Sequence, residues 1–568
     1  MKQDKRMILA FVLSVAVLAV YHFLAPAPSP EPVADNVAVE QVVQAADPGA
    51  EVASVAAKAK IGLASAVTSQ ARIIEVRTPL YTAKISTAGG GITSFLLKEY
   101  NDVAGPKGKQ LDLIGSDALQ PHLLSLYEEN SLALASSIIY RTDAPEVLEI
   151  SEGNSANLKL SWDSADGVRI QREYIFHGGR YDFETRLLTT NGSKENIYVR
   201  PGLNVTQLFT GELAGDSYTF HGIATSESVG TKDKERYSLE RYSLKDISKE
   251  KVKKGPVRWA SADSKYFTWV VFPERHWSLT RALRLGESSI LFSLADTAAT
   301  LLPGESAQSN TQVFAGPKQS NLLASVGVGA GLENLIDYGI FWFMAKPLVY
   351  LMKASNRITG NYGIDIILLT ILIKILFFPL SQKSMSSMRK MQELAPIMNN
   401  IKEKYKGDTN RINQETMNLY KTYKINPLSG CLPMIAQIPV FIALYKALLV
   451  TIELRHSPFF LWIQDLSAPE YLWNIDAFGF VLPIRLLPLL MGISMVLQQK
   501  LTPSASMDPM QQKLMLLMPV VFTFMFWGFP SGLVLYWLMN NVLSIGQQWL
   551  YTRKADAAKV SQETETTA

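Results

Sequence analysis

The alternation of hydrophobic and polar positions divides the chain into three kinds of segment. Residues 7–24 form one uncharged, mostly apolar run, and residues 71–318 contain many short stretches in which apolar positions recur every second residue. From residue 332 onwards, long apolar stretches alternate with charged connections. A period of two predicts β-strands, and apolar runs of about 18 residues or more predict membrane-spanning helices. The pattern therefore predicts a domain of strands joined to a helical membrane region.

The run at residues 7–24 is predicted to be an uncleaved membrane anchor. At about 1.5 Å per residue, a helix of this length comes close to crossing a hydrocarbon layer of about 30 Å. A cleaved secretory signal is the alternative, because Ala25-Pro26-Ala27 resembles a cleavage site. The basic residues before the run place residues 1–6 in the cytoplasm, so the chain emerges on the opposite side. Residues 25–70, which are poor in aromatic side chains, are predicted to be a flexible linker there.

Residues 71–318 are predicted to form a large extracytoplasmic β-sandwich. Apolar positions alternate between Val168 and Leu187 on both sides of Gly178-Gly179, which is typical of a β-hairpin. Further strands are expected at residues 81–86, 266–272 and 289–294. A sandwich does not specify its function, so a scaffold or docking role and a sugar-binding site both stay open.

Residues 332–353 are apolar almost throughout but include four charged residues, which fit poorly at the centre of a bilayer. An amphipathic helix that lies in the membrane interface is the favoured interpretation, and an ordinary span is the alternative. Five apolar spans are then predicted within residues 362–551. They cover residues 362–380, 431–452, 478–497, 514–528 and 531–551.

The charges between these spans predict how the chain is oriented. Residues 381–430 contain nine Lys and Arg residues, whereas residues 453–477 contain only Arg455 beside four acidic residues. Basic connections tend to stay in the cytoplasm. Six spans, counting the anchor, satisfy this rule if both termini are cytoplasmic and the β domain is outside. Residues 552–568 are then a cytoplasmic tail.

The basic segment 381–430 is predicted to be a cytoplasmic helical hairpin, because its apolar residues recur every three or four positions. The first stripe includes Met385, Met388, Met391, Met398 and Tyr405. The two stripes either pack against each other or leave a Met-rich surface that accommodates varied apolar partners.

Lys374 is the most informative residue in the spans. A cation at this depth costs about 2.5–3.5 kcal/mol, so its default interpretation is functional. Snorkelling of its side chain to the cytoplasmic boundary near Ser381 is the alternative. Other polar residues in the spans either form interhelical hydrogen bonds or share with Lys374 a hydrated recess open toward the cytoplasm. They include Thr370, Gln437, Asn540, Asn541, Ser544 and Gln547.

Composition narrows the class of function. The 568 residues carry 55 Lys and Arg against 51 Asp and Glu, and a net charge of +4 is too small to indicate nucleic-acid recognition. Cys431 is the only cysteine, which excludes an intrachain disulfide framework or a Cys-rich zinc site. The six histidines are scattered, with no HExxH motif and no close pair, so zinc hydrolase chemistry is not expected, and no P-loop motif for a nucleotide occurs.

Several collinear motifs resemble the YidC/Oxa-type membrane protein insertases. They are residues 426–433 (NPLSGCLP), 437–445 (QIPVFIALY), 508–513 (DPMQQK) and 529–537 (FPSGLVLYW). The resemblance extends over about residues 339–553. The anchor and the β domain resemble the Gram-negative form of the family in layout and in the exit sequence FAGPK at residues 314–318.

The resemblance implies an insertase and chaperone of the bacterial inner membrane, with a large periplasmic domain, no cofactor and no catalytic cycle. It implies nascent inner-membrane proteins as clients, the lipid bilayer as surroundings and the Sec translocon as a partner. The short tail of mixed charge implies only weak ribosome binding, through the cytoplasmic loops. The family's groove cation matches Lys374, where many members have Arg, and its groove glutamine matches Gln437.

Two other classes of function are kept beside the insertase. A solute transporter or channel would have an internal repeat with paired broken helices, and none is apparent among the five spans. A membrane-anchored sugar-binding or sugar-active protein would place its function in the β domain.

Overall fold

The computed structural model divides into two compact units, of which the first ends at Asp337. The predicted anchor at residues 7–24 and linker at residues 25–70 lie outside the residues that the structure describes. The described residues are 71–114, 124–126, 138–209, 211–214, 219–229, 236–247, 251–284, 288–326, 330–426, 432–477, 480–501 and 509–567.

The first unit consists mainly of β-strands. In chain order they are β1 Ile73–Arg77, β2 Tyr81–Ser86, β3 Ile92–Asn101, β4 Gln110–Asp112, β5 Ser125–Leu126, β6 Val147–Glu149, β7 Ser155–Asp163, β8 Val168–His177, β9 Asp182–Asn191, β10 Ile197–Val199, β11 Gly202–Leu208, β12 Gly222–Val229, β13 Arg236–Ser243, β14 Lys251–Asp263, β15 Phe267–Pro273, β16 Trp277–Arg284, β17 Ser289–Ala295, β18 Ala299–Leu301 and β19 Ser306–Pro317. The short helix α1, Ser320–Ser325, and a 3-10 turn at Leu332–Leu335 follow them.

Two sheets pack face to face, as the sandwich prediction requires. One has the strand order β4-β3-β2-β1-β6, and the other has the order β5-β11-β17-β16-β14-β15-β19-β9-β8-β7, with β12 and β13 joined at β14. The ring of Phe95 in β3 lies 5.0 Å from that of Trp269 in β15, which places the core between the sheets. The predicted hairpin is confirmed as β8 and β9, which pair from Val168 to Phe176.

A buried pair of opposite charges lies near the end of the β domain. Asp263 is fully buried and accepts a hydrogen bond from the Thr268 hydroxyl. Lys318 is almost fully buried, and its Nζ donates to the Ser264 carbonyl over 2.9 Å. Burial raises the pKa of Asp263 and lowers the pKa of Lys318, and the opposite charge of each partner limits both shifts. Removal of one partner would therefore leave the other charge buried without its strongest counter-charge.

The second unit is mostly helical. Its helices are α2 Trp342–Thr359, α3 Tyr362–Glu393, α4 Ala395–Lys404, α5 Thr409–Thr422, α6 Leu432–Val450, α7 Leu486–Leu501, α8 Pro509–Met525 and α9 Ser531–Thr567, and its strands are β20 Trp473–Ala477 and β21 Phe480–Ile484. One of these helices, Tyr362–Glu393, is long and apolar enough to cross a membrane, judged over the described residues. Shorter apolar helices cover Ile435–Val450, Leu486–Leu501 and Leu516–Gly528.

Two predicted segments differ from the structure. The interfacial helix predicted at residues 332–353 is displaced, because Gly339 adopts a positive φ of 71° and the helix begins only at Trp342. It then continues to Thr359 and ends at Gly360, whose φ is 63°. The start of the span predicted at residues 478–497 is strand β21, which pairs with β20. Pro483 within β21 has no N–H to donate to a helix.

A core of apolar side chains joins the helices of the second unit. Ile366 and Leu369 of α3 pack with Leu444 of α6, Met491 of α7 and Tyr536 of α9. The α3 helix begins at a capping residue, Asn361, whose side-chain oxygen accepts from the N–H groups of the first turn. This packing fixes α3 against α9, and the site described next lies between them.

A candidate groove between helices α3 and α9

A cavity of about 740 Å³ lies between α3 and α9. Its lining residues recur at intervals of three or four along both helices, so each helix contributes one face. They are Ile371, Lys374, Ile375, Phe378 and Gln382 from α3, and Val542, Leu543, Gly546, Gln547, Leu550 and Tyr551 from α9. Several of the apolar ones, including Ile375 and Leu550, are exposed, so the cavity is open along an apolar face.

Lys374 is the cation of this cavity. Its Nζ donates a hydrogen bond to Ser544 Oγ over 2.6 Å, and Ser544 Oγ in turn donates to the Asn540 carbonyl over 2.7 Å. No carboxylate of the described residues forms an ion pair with Lys374 within 4.0 Å. The ammonium is therefore held by a neutral hydroxyl, and its other N–H groups are available to water or to a bound group.

Gln547 lines the cavity one turn beyond Ser544 on α9. Its Nε2 is shielded from solvent and has no hydrogen-bond partner within the described part of the chain. A buried amide donor without a partner costs free energy, and a ligand oxygen would relieve that cost. Lys374, Ser544 and Gln547, three of the predicted groove residues, thus occur together.

The other three predicted groove residues lie outside the lining of this cavity. Thr370 is fully buried, and its hydroxyl donates to the Ile366 carbonyl of its own helix over 2.6 Å. Asn541 is also buried, and its Nδ2 donates to Ser494 Oγ of α7 over 2.9 Å. Gln437 of α6 also bonds to another helix, α9. These three residues therefore form hydrogen bonds within or between helices, which was the alternative to a place in the recess.

Gln437 connects to the cavity through a neighbour. Its Nε2 donates to Asn540 Oδ1 over 2.8 Å and to the Tyr536 hydroxyl over 3.2 Å. The main-chain carbonyl of Asn540 separately accepts from Ser544 Oγ. Asn540 and Ser544 on α9 therefore form polar bonds to α6 and to α3, respectively.

The sequence prediction missed the apolar wall of the cavity and residues Gln382 and Tyr551 at its end. The signal was present, since positions 371, 375, 378 and 382 share one helical face, as do positions 543, 547 and 550. Such a stripe does not reveal whether it faces the core or an open cavity. Only the packing of α3 against α9 distinguishes a stripe that faces the core from one that faces an open cavity.

The residues predicted for the cytoplasmic hairpin lie in the C-terminal part of α3, on α4 and directly after α4. Met398 is buried and its sulfur accepts a hydrogen bond from the Tyr420 hydroxyl of α5. Met385, Met388 and Met391 are partly buried on α3, and Tyr405 ends α4. The Met398–Tyr420 contact favours packing of the two stripes at that position.

Comparisons with known proteins identify the family to which both units belong. The model of the family described as "60Kd inner membrane protein" matches residues 354–559, and that of the "YidC periplasmic domain" matches residues 73–351. The membrane protein insertase YidC of Syntrophus aciditrophicus (strain SB) is 40% identical over 97% of this chain and 100% of its own length. The chain belongs to the YidC family of membrane protein insertases.

A further curated relative agrees with this assignment. The YidC insertase of Citrifermentans bemidjiense is 38% identical over 98% of this chain and 100% of its own. A crystal structure of an active YidC insertase covers 85% of this chain and 93% of its own, with 18% identity and a TM-score of 0.36.

The family assigns the function. Like its YidC relatives, the chain is an insertase of nascent membrane proteins that works in a lipid bilayer, and residues 73–351 are its periplasmic domain. The insertase prediction is therefore confirmed in preference to the transporter and the sugar-binding protein.

Proposed function

We propose that the cavity around Lys374 receives the polar part of a client while the client's apolar segment enters the bilayer. The observation that carries this proposal is the Lys374 ammonium, held by Ser544 inside a mostly apolar cavity that is open on one side. A space of this size holds on the order of 20 water molecules, each of which takes about 30 Å³. The hydrated groove lowers the barrier for a polar segment that enters the membrane.

Lys374 supplies the attraction for acidic clients. At an effective dielectric constant of about 20, opposite charges about 4 Å apart attract by about 4 kcal/mol. The ammonium has no carboxylate partner among the described residues, so a client carboxylate does not have to displace one. A point charge suffices for this role, which is consistent with Lys in place of the Arg that many relatives carry.

The apolar wall guides the hydrophobic segment of the client. Ile375 of α3 and Leu550 of α9 flank the cation and are exposed to the outside of the unit. Burial of apolar client surface stabilises the inserted state by about 25 cal/mol per Å². The driving force of insertion is then the transfer of the client into lipid, without a nucleotide.

Polar bonds of α9 to its neighbours keep the groove in shape. Gln437 holds the Asn540 side chain against α6, and the main-chain carbonyl of Asn540 orients the hydroxyl on which the Lys374 ammonium rests. Asn541 and Ser494 add a separate bond between α9 and α7. We assign Gln437, Asn541 and Thr370 to the support of the groove, and Lys374, Ser544 and Gln547 to contact with the client.

The proposed orientation has six spans, cytoplasmic termini and the hairpin α4–α5 in the cytoplasm. The nine Lys and Arg residues in segment 381–430 and the acidic segment 453–477 support it. The basic hairpin would contact the translating ribosome weakly, and the insertase would work alone or beside the Sec translocon in the bacterial inner membrane.

A charge reversal tests the role of the cation. The Lys374→Glu variant, reconstituted in proteoliposomes, is expected to lose insertion of a small two-span test protein with an acidic translocated segment, measured by protease protection. The Lys374→Arg variant should retain it. Lys383→Glu is the matched control, because Lys383 lies on the same helix, is exposed and does not line the cavity. Full insertion by Lys374→Glu would refute the electrostatic role.

A further inference from the structure

The connection between α6 and α7 presents large apolar side chains to the outside. Phe460 is 54% exposed and Leu461 is 83% exposed, and Tyr471 and Trp473 of the same connection are also more than half exposed. Single exposed apolar residues are common on protein surfaces. Four of them within 14 residues form a patch, and such patches mark contacts with a partner or a membrane. We call Phe460, Leu461, Tyr471 and Trp473 the aromatic loop.

The tip of the aromatic loop has a defined conformation. The N–H of Phe459 donates to the Ile463 carbonyl over 2.9 Å, and the N–H of Ile463 donates to the Phe460 carbonyl over 3.3 Å. Ile463 and Leu466 behind the tip are buried in the core of the unit. The exposed side chains are therefore held outward by a packed base.

Leu461 adopts a conformation that its type disfavours. Its φ is 60°, in the left-handed region where a side chain crowds its own backbone. Positions of this kind persist when surrounding contacts stabilise them, but the side chain of Leu461 is 83% exposed. Burial of this side chain by something outside the chain would account for a leucine at this position.

The second half of the loop is fastened to the same base. The indole N–H of Trp462 donates to Glu470, and Glu470 also accepts from the backbone N–H of Leu487 at the start of α7. Glu470 is buried, so this network fixes Tyr471, the next residue, beside the tip. Aromatic side chains at the ends of membrane helices are typical of the lipid interface.

The tip of the aromatic loop lies beside the N-terminal end of α3, the helix long enough to cross a membrane. Phe459 packs on Gly363, the second residue of α3, so closely that a Cβ on Gly363 would lie 2.0 Å from Phe459 Cδ2. The apolar part of α3 runs from there to Ser381, about 20 residues, which at about 1.5 Å per residue matches the hydrocarbon thickness of a bilayer. The tip therefore lies at the level where α3 enters the lipid.

We propose that the aromatic loop is a rigid wedge that inserts into the boundary between headgroups and acyl chains, in the leaflet at the N-terminal end of α3. The occupant of this surface is lipid, because the loop continues the apolar surface of a helix that itself crosses the bilayer. The proposal rests on the membrane placement of α3, which the experiment checks separately.

Fluorescent probes on single cysteines test the wedge in the full chain. Cys431 is replaced by serine, and single cysteines are introduced by Leu461→Cys, by Leu368→Cys on the exposed face of α3 and by Lys107→Cys at an exposed turn of the β domain. Each is labelled with an environment-sensitive probe and reconstituted in vesicles of phosphatidylglycerol and phosphatidylethanolamine. Bromine atoms are placed at different depths on the acyl chains.

The expected result has three parts. The probe at Leu461 shows blue-shifted emission, loses quenching by aqueous iodide and is quenched most by bromines near the headgroup. The probe at Leu368 is quenched most by deeper bromines, and the probe at Lys107 only by iodide. A Leu461 probe that iodide quenches and no bromolipid quenches, beside a normal Leu368 probe, would overturn the wedge alone. Shielding of Leu461 only when other membrane proteins are added would also overturn it, and an unquenched Leu368 probe would overturn the placement of α3.

Discussion

Replacement of Ser544 by alanine tests whether the groove cation is held as the structure indicates. Ser544 Oγ lies 2.6 Å from Lys374 Nζ and is oriented by its own hydrogen bond to the Asn540 carbonyl. Alanine removes the oxygen and changes little else, since serine and alanine differ by one atom. The ammonium then loses the hydrogen bond that holds it, and it becomes free to move toward the cytoplasmic boundary.

The expected coupling between Ser544 and Lys374 follows from two ranges of hydrogen-bond free energy. A hydrogen bond to a charged group contributes about 1.5–3 kcal/mol in soluble proteins. Interhelical bonds in a membrane protein average about 0.6 kcal/mol and reach about 1.7 kcal/mol, because water and other groups compete for the partners. The cavity is open to water, so we expect a coupling of about 1 kcal/mol between Ser544 and Lys374.

A double-mutant cycle measures this coupling. The variants Ser544→Ala and Lys374→Met and their combination are unfolded by steric trapping in bicelles, and the three changes in stability relative to the original chain are compared. Ser544→Ala should also slow insertion of the two-span client. Thr552→Ala is the matched control, because Thr552 makes the same bond to the carbonyl four residues back, and its hydroxyl accepts no hydrogen bond from a cation of the described residues. Additive losses and an unchanged insertion rate for Ser544→Ala would refute the reasoning.

Two further predictions concern the β domain. Asp263→Asn leaves the Lys318 ammonium buried without its strongest counter-charge, so we expect a loss of up to about 3–5 kcal/mol, seen as faster hydrogen exchange in β14 and β15 of the full chain. Exchange as slow as in the original chain would show that the pair does not stabilise the sheet. Burial raises the pKa of the Tyr140 hydroxyl to about 12. The protonated hydroxyl therefore contributes about 2–3 kcal/mol to the free energy of unfolding, and this contribution is complete below pH 10 and is lost as the pH rises from about 10 through 12. Denaturant unfolding should therefore show a smaller loss between these pH values in Tyr140→Phe, and an identical loss would contradict this assignment.

Local patterns were sufficient for the parts of the fold that local chemistry determines. The β8–β9 hairpin followed from period-two alternation around two glycines, because neighbouring strands joined by a tight turn pair with each other. The apolar run that became α3 was equally clear. The strand order of the large sheet was not predictable, since β14 contacts β12, β15 and β16 through pairings that depend on the whole chain.

The cation of the candidate site was predictable from the sequence, whereas the geometry around it was less so. Lys374 is conspicuous because nothing else in its span is charged after Asp365. Thr370 shares the helical face of Lys374, but its hydroxyl bonds to its own helix, an option that every buried threonine in a helix has. Gln437 bonds to Asn540, one turn before the Ser544 that holds Lys374, and this arrangement exists only once three helices are packed.

The central claim is that clients pass along the cavity between α3 and α9. Photo-crosslinking to a ribosome-bound nascent membrane protein tests it most directly, with the reactive group placed at Ile375 or at Leu376. These neighbours are 65% and 73% exposed, but only Ile375 lines the cavity. We predict strong crosslinks to the client's first apolar segment from Ile375 and weak ones from Leu376. Equal yields from the two positions, or crosslinks from Leu376 alone, would contradict the account.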